Sequence, residues 1–201
     1  MALVKLNNRG VRSATTFGSI SALGEMRFIS KQTASSSATI SFTSGIDSTY
    51  KEYLFTFNNI HPASDDMDLT FQVDTGTNTS YNQTITSTTF QVFHGEDGSS
   101  GAVAYKTNRD LAQSTSFQPL CQDIGNGNDE SMSGYLHLFS PSSSVFVKHF
   151  IGLGTNVYSG DASIQIYSAG YVNTTTPLTR VQFKMDSGNI DAGDICLYGI
   201  N

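Results

Sequence analysis

The sequence has no tryptophan, only two cysteines and four prolines, and few charged residues. Charged side chains make up 14% of its 201 residues, against roughly 25% in an average soluble domain. No apolar run approaches the ~20 residues of a membrane-spanning helix. Basic residues are outnumbered, with 11 Lys and Arg against 17 Asp and Glu, and they form no stripe. We therefore expect the chain to bind neither a membrane nor nucleic acid.

Signals for export and modification are weak. The first ten residues, MALVKLNNRG, lack the continuous apolar core of a secretory signal, so we expect none. Asn78, Asn82 and Asn173 stand in glycosylation sequons, which chance explains in a chain rich in Asn and Thr. Cys121 and Cys196 show no CxxC spacing. One disulfide is possible, but two buried thiols are expected in a chain made inside a cell.

Ser, Thr, Asn and 18 Gly take the place of charge, a composition that favours strands and turns over helices. Alternating or β-branched segments predict about ten strands. They cover residues 26–29, 38–42, 51–59, 67–73, 84–93, 134–139, 145–153, 162–172, 178–185 and 194–200. The pattern places Tyr53, Phe55 and Phe57 on one buried face. It places Asp68 on the solvent face of its strand.

The length suits one domain, and no internal repeat suggests a propeller or solenoid. Irregular loop lengths between many strands predict an all-β fold, a two-sheet antiparallel sandwich of the jelly-roll type. Residues 1–27 follow neither a helical nor a strand period, so we predict an extended N-terminal arm that lies on a partner. Residues 28–201 form the predicted sandwich domain.

The acidic cluster Asp65, Asp66 and Asp68, which follows His61, is the most site-like local feature. Several hard oxygen ligands close together could bind Ca²⁺. The cluster lacks the regular spacing and the distant bidentate Glu of a calcium loop, however. A turn at Asp65 and Asp66 is therefore the favoured interpretation.

A second acidic pair, Glu96 and Asp97, follows His94. Two carboxylates could serve as acid and base on a glycan. Because Asp97 is followed by Gly98, the segment is more typical of a solvated hairpin turn.

The four histidines, His61, His94, His137 and His149, show no HxH or HExxH spacing, and we expect ordinary strand or loop histidines. No nucleophile elbow or phosphate loop occurs. The sequence therefore predicts a protein that is not an enzyme, with no catalytic, cofactor-binding or metal-binding residue and no cofactor.

Tyrosine and phenylalanine are plentiful, with 9 and 13 copies. Tyr81, Tyr105 and Tyr158 lie in polar stretches where an exposed ring could stack on a sugar. Packing in the core or at a subunit interface is the expectation for most of the phenylalanines.

Three segments resemble a family of uncharacterised structural proteins of tailed, mostly marine bacteriophages. The segments are LVKLNNRGVRSATTFGSI, SATISFTSGIDSTYKEYLFTFNNIHPASDDMDLTFQ and DSGNIDAGDICLYGI. The family phrase ID.TY.EY.F.F.NIHP..D falls here on Ile46-Asp47, Thr49-Tyr50, Glu52-Tyr53, Phe55, Phe57, Asn59-Ile60-His61-Pro62 and Asp65 or Asp66. The family ending LYGI falls on Leu197 to Ile200.

The resemblance implies a virion component, made in the bacterial cytoplasm. The expected role is a capsid decoration or cement protein that docks on the major capsid protein through its arm, as a homo-oligomer, with a trimer favoured. One alternative is a neck or tail appendage, such as a fibre or receptor-binding subunit that binds host surface glycan. Another is a carbohydrate-binding module.

Overall fold

The computed structural model describes residues 26–76 and 79–201, and these residues form twelve strands. The strands are β1 (Met26–Thr33), β2 (Ile40–Phe42), β3 (Glu52–Pro62), β4 (Leu69–Asp74), β5 (Ile85–Gly95), β6 (Gly101–Tyr105), β7 (Gln118–Pro119), β8 (Met132–Phe139), β9 (Lys148–Tyr158), β10 (Ala162–Val172), β11 (Arg180–Met185) and β12 (Ile190–Ile200). Within these two ranges no helix is long and apolar enough to cross a membrane.

The strands form two antiparallel sheets. The large sheet has eight strands in the order β1-β12-β3-β8-β9-β10-β5-β6, and the small sheet has four in the order β2-β11-β4-β7. The predicted all-β two-sheet sandwich is thereby confirmed. The finer jelly-roll expectation is not confirmed by this division into eight and four. The predicted arm falls almost wholly on residues 1–25, which lie outside the described residues.

Aromatic rings fill the space between the sheets. The ring of Phe183 from the small sheet meets Phe55 and Phe57 of β3, each with centroids 5.2 Å apart. Phe42 completes the cluster, 5.3 Å from Phe55. All four side chains are buried, as the alternation of β3 predicts, and their edge-to-face contacts add to the free energy of burial.

Two of the segments that carry the family resemblance are neighbours in the large sheet. β3 pairs with β12, and Phe55 lies opposite Leu197 while Tyr53 lies opposite Gly199. The ring of Tyr50 lies against Gly199, so closely that a Cβ on this glycine would come within 2.2 Å of Tyr50 Cδ2. These residues therefore contribute to the packing between β3 and β12.

The bounds of β10, residues 162–172, match the prediction at both ends. β9 begins at Lys148, not at the predicted Val145. Val145 and Phe146 are exposed, and their backbone amides donate to Ser143 Oγ at 3.2 and 2.9 Å. These two amides are thus bonded within a serine turn and do not pair with a neighbouring strand.

The prediction that β4 has a solvent face is wrong. All six of its residues are buried, because the large sheet covers one side, where Phe71 packs on Phe150 of β9, and the loops that flank β7 cover the other. The polar side chains of this strand are satisfied internally. Gln72, for example, donates through Nε2 to three backbone carbonyls of the surrounding loops at 2.9 to 3.2 Å.

Two strands were not predicted. β6 has the sequence GAVAY, which is rich in small residues, and it owes its strand conformation to pairing with β5. β7 has only two residues, paired with β4. Neither carries a periodic pattern, so each is defined only by the strand with which it pairs.

Candidate docking face

The outward face of strands β8, β9, β10 and β5 forms an apolar and aromatic surface, which we call the docking face. Strand alternation turns every second residue outward, and the pairing register aligns these residues in rows across the strands. The middle row is His137, Ile151, Ala169 and Thr88; the flanking rows are Tyr135, Leu153, Tyr167 and Phe90 on one side and Phe139, His149, Tyr171 and Thr86 on the other.

The middle row is low because its side chains at β10 and β5, Ala169 and Thr88, are small. A cavity of about 510 Å³ lies on one side of these residues, with Phe139, His149 and Tyr171 in its lining. A second cavity of about 170 Å³ lies on the other side, toward the Tyr167 row, and shares Thr88, Ile151 and Ala169 with the first. The face is thus a trench between two aromatic ridges.

Ring contacts hold the ridges in place. Phe90 and Tyr167, register partners on β5 and β10, stack with centroids 4.7 Å apart and planes 6° from parallel. His149 and Tyr171 meet at 6.3 Å on the opposite ridge. Such pairs contribute about 0.5 to 1.5 kcal/mol beyond the area they bury. These contacts therefore hold the rings of both ridges in place in the free chain.

The docking face carries no formal charge. Lys148 is the one Lys, Arg, Asp or Glu in the four strands, and its side chain points into the protein. Lys148 Nζ donates to the carbonyl oxygens of Thr174 and Thr176 at 3.0 and 2.8 Å. Burial lowers the pKa of this ammonium group. These four strands therefore turn no Lys, Arg, Asp or Glu side chain outward, and the nearest carboxylate is at the β3 border, where Glu52 Oε2 lies 3.8 Å from His137 Nδ1.

Polar side chains close one end of the trench. Gln113 Nε2 donates to Thr86 Oγ1 at 2.6 Å and to the Tyr171 hydroxyl at 3.3 Å. Asn173 Nδ2 donates to Gln113 Oε1 at 2.9 Å. These groups satisfy one another, so the face has a polar rim at this end and an apolar centre.

The apolar surface continues onto the edge strand β6. Ile151 is 49% exposed and Phe90 44%, and on β6 Val103 is 73% and Tyr105 53% exposed. Contiguous apolar patches on a protein surface often mark interaction sites. Depletion of charge together with aromatic enrichment is typical of the core of a protein interface.

The structure separates the predicted acidic cluster. Asp65 Oδ1 accepts from the Asn126 amide at 3.1 Å, and Asp66 Oδ1 accepts from the Ser159 hydroxyl. Asp68 is only 3% exposed, so its predicted place on a solvent face is wrong. Asp65 and Asp66 lie in the exposed loop between β3 and β4, as the turn interpretation predicts.

Asp68 belongs to a buried ionic cluster that the sequence did not indicate. Arg109 Nε lies 2.7 Å from Asp68 Oδ2, although this N–H does not point at the oxygen well enough for a directed hydrogen bond. Arg109 Nη2 donates to Asp123 Oδ1 at 3.2 Å. Burial raises the pKa of Asp68 to about 7, against the opposing effects of the Asp123 amide and the Arg109 charge. The cluster ties three loops together.

The second acidic pair forms the tip of the β5–β6 hairpin. Asp97 Oδ1 accepts from the Ser99 amide at 2.8 Å, and hydrogen bonds from Ser99 lower the pKa of this carboxyl. Gly98 has a φ of 71°, a conformation that glycine adopts without strain. The predicted turn is confirmed. A shallow cavity of about 230 Å³ beside it includes Asp97 and Asp161.

The four histidines have separate environments. His137 and His149 lie in strands, as predicted, and both belong to the docking face. His94 projects from β5, and His61 Nε2 lies 3.1 Å from the Gly127 carbonyl oxygen. In residues 26–76 and 79–201, no three His, Cys, Asp or Glu side chains come together in a group that could hold a metal ion.

The three tyrosines considered for sugar stacking differ in exposure. Tyr81 is buried, so it cannot stack on a sugar. Tyr158 is half-buried. Tyr105 extends the docking face along β6, where its hydroxyl donates to Asp110 Oδ2 at 2.5 Å. That hydrogen bond raises the pKa of Tyr105.

Both cysteines are free and buried, which confirms the expectation from the sequence. The Leu69 amide donates to Cys121 Sγ at 2.9 Å. Of the sequons, Asn78 lies outside the described residues, whereas Asn82 and Asn173 are exposed.

The docking face had one signal in the sequence. Strands β8, β9 and β10 have apolar or aromatic residues on both faces, and the 41 residues of these strands and β5 include a single Lys, Arg, Asp or Glu. That pattern could have indicated a second covered face. It could not indicate that the four strands are adjacent, because their order in the sheet differs from their order in the chain.

Comparison with known proteins identifies no relative: no family model, curated protein or solved structure matches the chain.

Proposed function

We propose that this chain is a structural subunit of a tailed-bacteriophage particle and acts as a capsid decoration or cement protein. In this role it assembles as a homo-oligomer, with three copies favoured, and docks on the major capsid protein through the N-terminal arm of residues 1–27. The role rests on binding and not on catalysis, and the site of action is the virion.

The neutral docking face is the observation that carries this proposal. An apolar surface with no Lys, Arg, Asp or Glu is disfavoured in water and favoured against another protein surface. The acidic balance of the whole chain, a net charge of −6, keeps the remaining surface soluble. The family resemblance supports a virion setting independently of this surface.

Copy number in purified particles tests the proposal. Quantitative mass spectrometry of virions from a phage that encodes this chain should give a ratio to the major capsid protein that is fixed by capsid symmetry. Separation of heads from tails should place the chain with the heads. Its absence from virions would contradict a structural role, and recovery with tails alone would contradict the decoration role.

The trench supports a second candidate, a receptor-binding or carbohydrate-binding subunit. Its cavity of about 510 Å³ has the aromatic rings of Phe139 and Tyr171 in its lining, and sugar rings stack on such groups. A glycan array made from host surface polysaccharides tests this alternative. Binding that disappears in Tyr171→Ala, and survives in Phe146→Ala as an exposed aromatic control, would favour it over decoration.

A further inference from the structure

We infer that Asn126 is a site of slow chemical modification, at which the backbone nitrogen of Gly127 displaces ammonia from the Asn126 side chain and the Glu130 carboxylate serves as the base. The site lies in the loop between β7 and β8. It goes beyond the proposed function, since it depends neither on the virion role nor on the docking face. The product is an aspartate or isoaspartate at position 126, which adds a negative charge to the loop.

The sequence of this loop favours the reaction. Residues 125–130 read GNGNDE, and Asn126 is the only asparagine in the chain that is followed by glycine. Because glycine has no Cβ, another group can approach its backbone closely, and the Asn126 side chain can therefore reach the Gly127 nitrogen. Asn126 is exposed, so water has access to the site and ammonia can leave it.

Glu130 is placed to take the proton from the attacking nitrogen. Its Oε2 accepts the Gly127 backbone N–H at 2.5 Å. The carboxylate lies directly beside this glycine, since a Cβ added to Gly127 would come within 2.8 Å of the same oxygen. A backbone nitrogen is a poor nucleophile while it keeps its proton, and a general base must be within hydrogen-bond reach of the proton that it removes. Glu130 meets this requirement.

The backbone around the site is held on both sides. The Asn126 amide donates to Asp65 Oδ1 at 3.1 Å. The Gly127 carbonyl oxygen accepts from the Glu130 amide at 3.0 Å and lies 3.1 Å from His61 Nε2. All three contacts use the backbone of Asn126 or Gly127 and leave the Asn126 side chain free of them. That side chain can therefore rotate toward the Gly127 nitrogen while the carboxylate stays in place.

The reaction balances with water as the only co-reactant. Glu130 takes the proton of the Gly127 nitrogen, and this nitrogen forms a bond to Cγ of Asn126. The Cγ–Nδ2 bond breaks, and Nδ2 leaves as ammonia with the transferred proton, so Glu130 is a carboxylate again. Water then opens the five-membered imide at either carbonyl, which gives aspartate or isoaspartate.

The product changes a loop that already contains carboxylates. A new carboxylate at position 126 follows the amide that Asp65 accepts, and Asp129 and Glu130 come shortly after it in the chain. Like charges at such short range repel one another. Isoaspartate also lengthens the backbone by one methylene, which displaces the Gly127 carbonyl from His61. The modification should therefore loosen the contact between this loop and the end of β3.

Glu130→Gln tests the role of the base, because its amide oxygen can still accept the Gly127 N–H but is not a base. Asp129→Asn is the matched control, since it removes the same charge from the neighbouring residue. The wild type and both variants are incubated at pH 8, native and unfolded in urea, and the products at position 126 are counted by peptide mass spectrometry. Asn128, which is followed by Asp129, is the internal reference in the same loop.

We expect Asn126 to react several-fold faster in the native wild type and in native Asp129→Asn than in native Glu130→Gln. The three unfolded chains should react at equal rates, because the contact with Glu130 is lost in all of them, and Asn128 should stay largely unmodified. An equal or faster native reaction in Glu130→Gln, or equal slowing in both variants, would overturn the role of Glu130. A native wild type that keeps Asn126 intact would overturn the site itself.

Discussion

The rings of Phe90 and Tyr167 stack 4.7 Å apart across β5 and β10 on the outer side of the large sheet. Phe90 is nevertheless 44% exposed. Exposed apolar area costs about 25 cal/mol per Å² relative to burial. Covering this ordered, partly exposed cross-strand pair would therefore release free energy, which would favour association.

The buried ionic cluster contributes to stability in a way that a surface pair does not. Replacing Arg109 with Ala removes the cation from Asp68 and Asp123, and we expect a loss of about 3 to 5 kcal/mol in the free energy of unfolding at pH 8. Lys31→Ala breaks the exposed pair with Asp194 and should cost less than about 1 kcal/mol. Urea denaturation of both variants measures the difference, and equal losses would contradict a buried role for Arg109.

Asp68 makes stability depend on pH in a direction opposite to most carboxylates. Its pKa rises from 3.8 to about 7 on folding, so the folded state holds a proton that the unfolded state has released. Its contribution is fully present below about pH 4 and decreases as pH rises to about 7. In Asp68→Asn the decline in unfolding free energy over this range should be weaker than in the wild type. Identical slopes from urea titrations at several pH values would refute this assignment.

Gly199 is predicted to be intolerant of any side chain. A Cβ at this position would lie 2.2 Å from Tyr50 Cδ2, so Gly199→Ala should displace the Tyr50 ring and cost about 1 to 3 kcal/mol. Gly101→Ala is the matched control, because the nearest atom to its added Cβ is 3.5 Å away. Thermal unfolding of the two variants measures this difference. An unchanged midpoint for Gly199→Ala would show that the LYGI segment does not need this glycine for packing.

The two thiols should be unreactive in the folded protein. Burial raises the pKa of the Cys121 thiol well above its usual value, and the thiolate is the reactive form. Cys196 is buried as well. Mass spectrometry after alkylation at pH 8 should find no modified cysteine in the native chain and two after unfolding in urea. Rapid alkylation of the native chain would contradict this burial.

The sequence predicted the fold class and most strands because alternation is a local signal. β10 shows this clearly, since Ile164 and Ile166 follow the alternation and the strand has both predicted ends. The same rule failed just before β4, where Asp68 looks solvent-facing but is buried beside Arg109, which lies in a loop 41 positions later in the chain. No local pattern records such a partner.

The docking face could not be predicted from the sequence, for a related reason. Phe90, Tyr167 and Tyr135 are aromatic residues in three strands, and each is compatible with a core position. Their common position on the outer side of the large sheet follows from the sheet order, in which β10 lies between β5 and β9 and β8 follows β9. Since strand order is set by long-range pairing, an exposed aromatic residue and a buried one have the same local signature.

Light scattering of the full chain is the most direct test of the central claim, that the docking face is an assembly surface. Ala169→Arg places a charge on the trench floor, and Ala192→Arg makes the same change at an exposed position on β12. We predict an oligomer for the wild type and for Ala192→Arg, and a monomer with an unchanged melting midpoint for Ala169→Arg. A monomeric wild type, or an Ala169→Arg variant that assembles like the wild type, would contradict the claim.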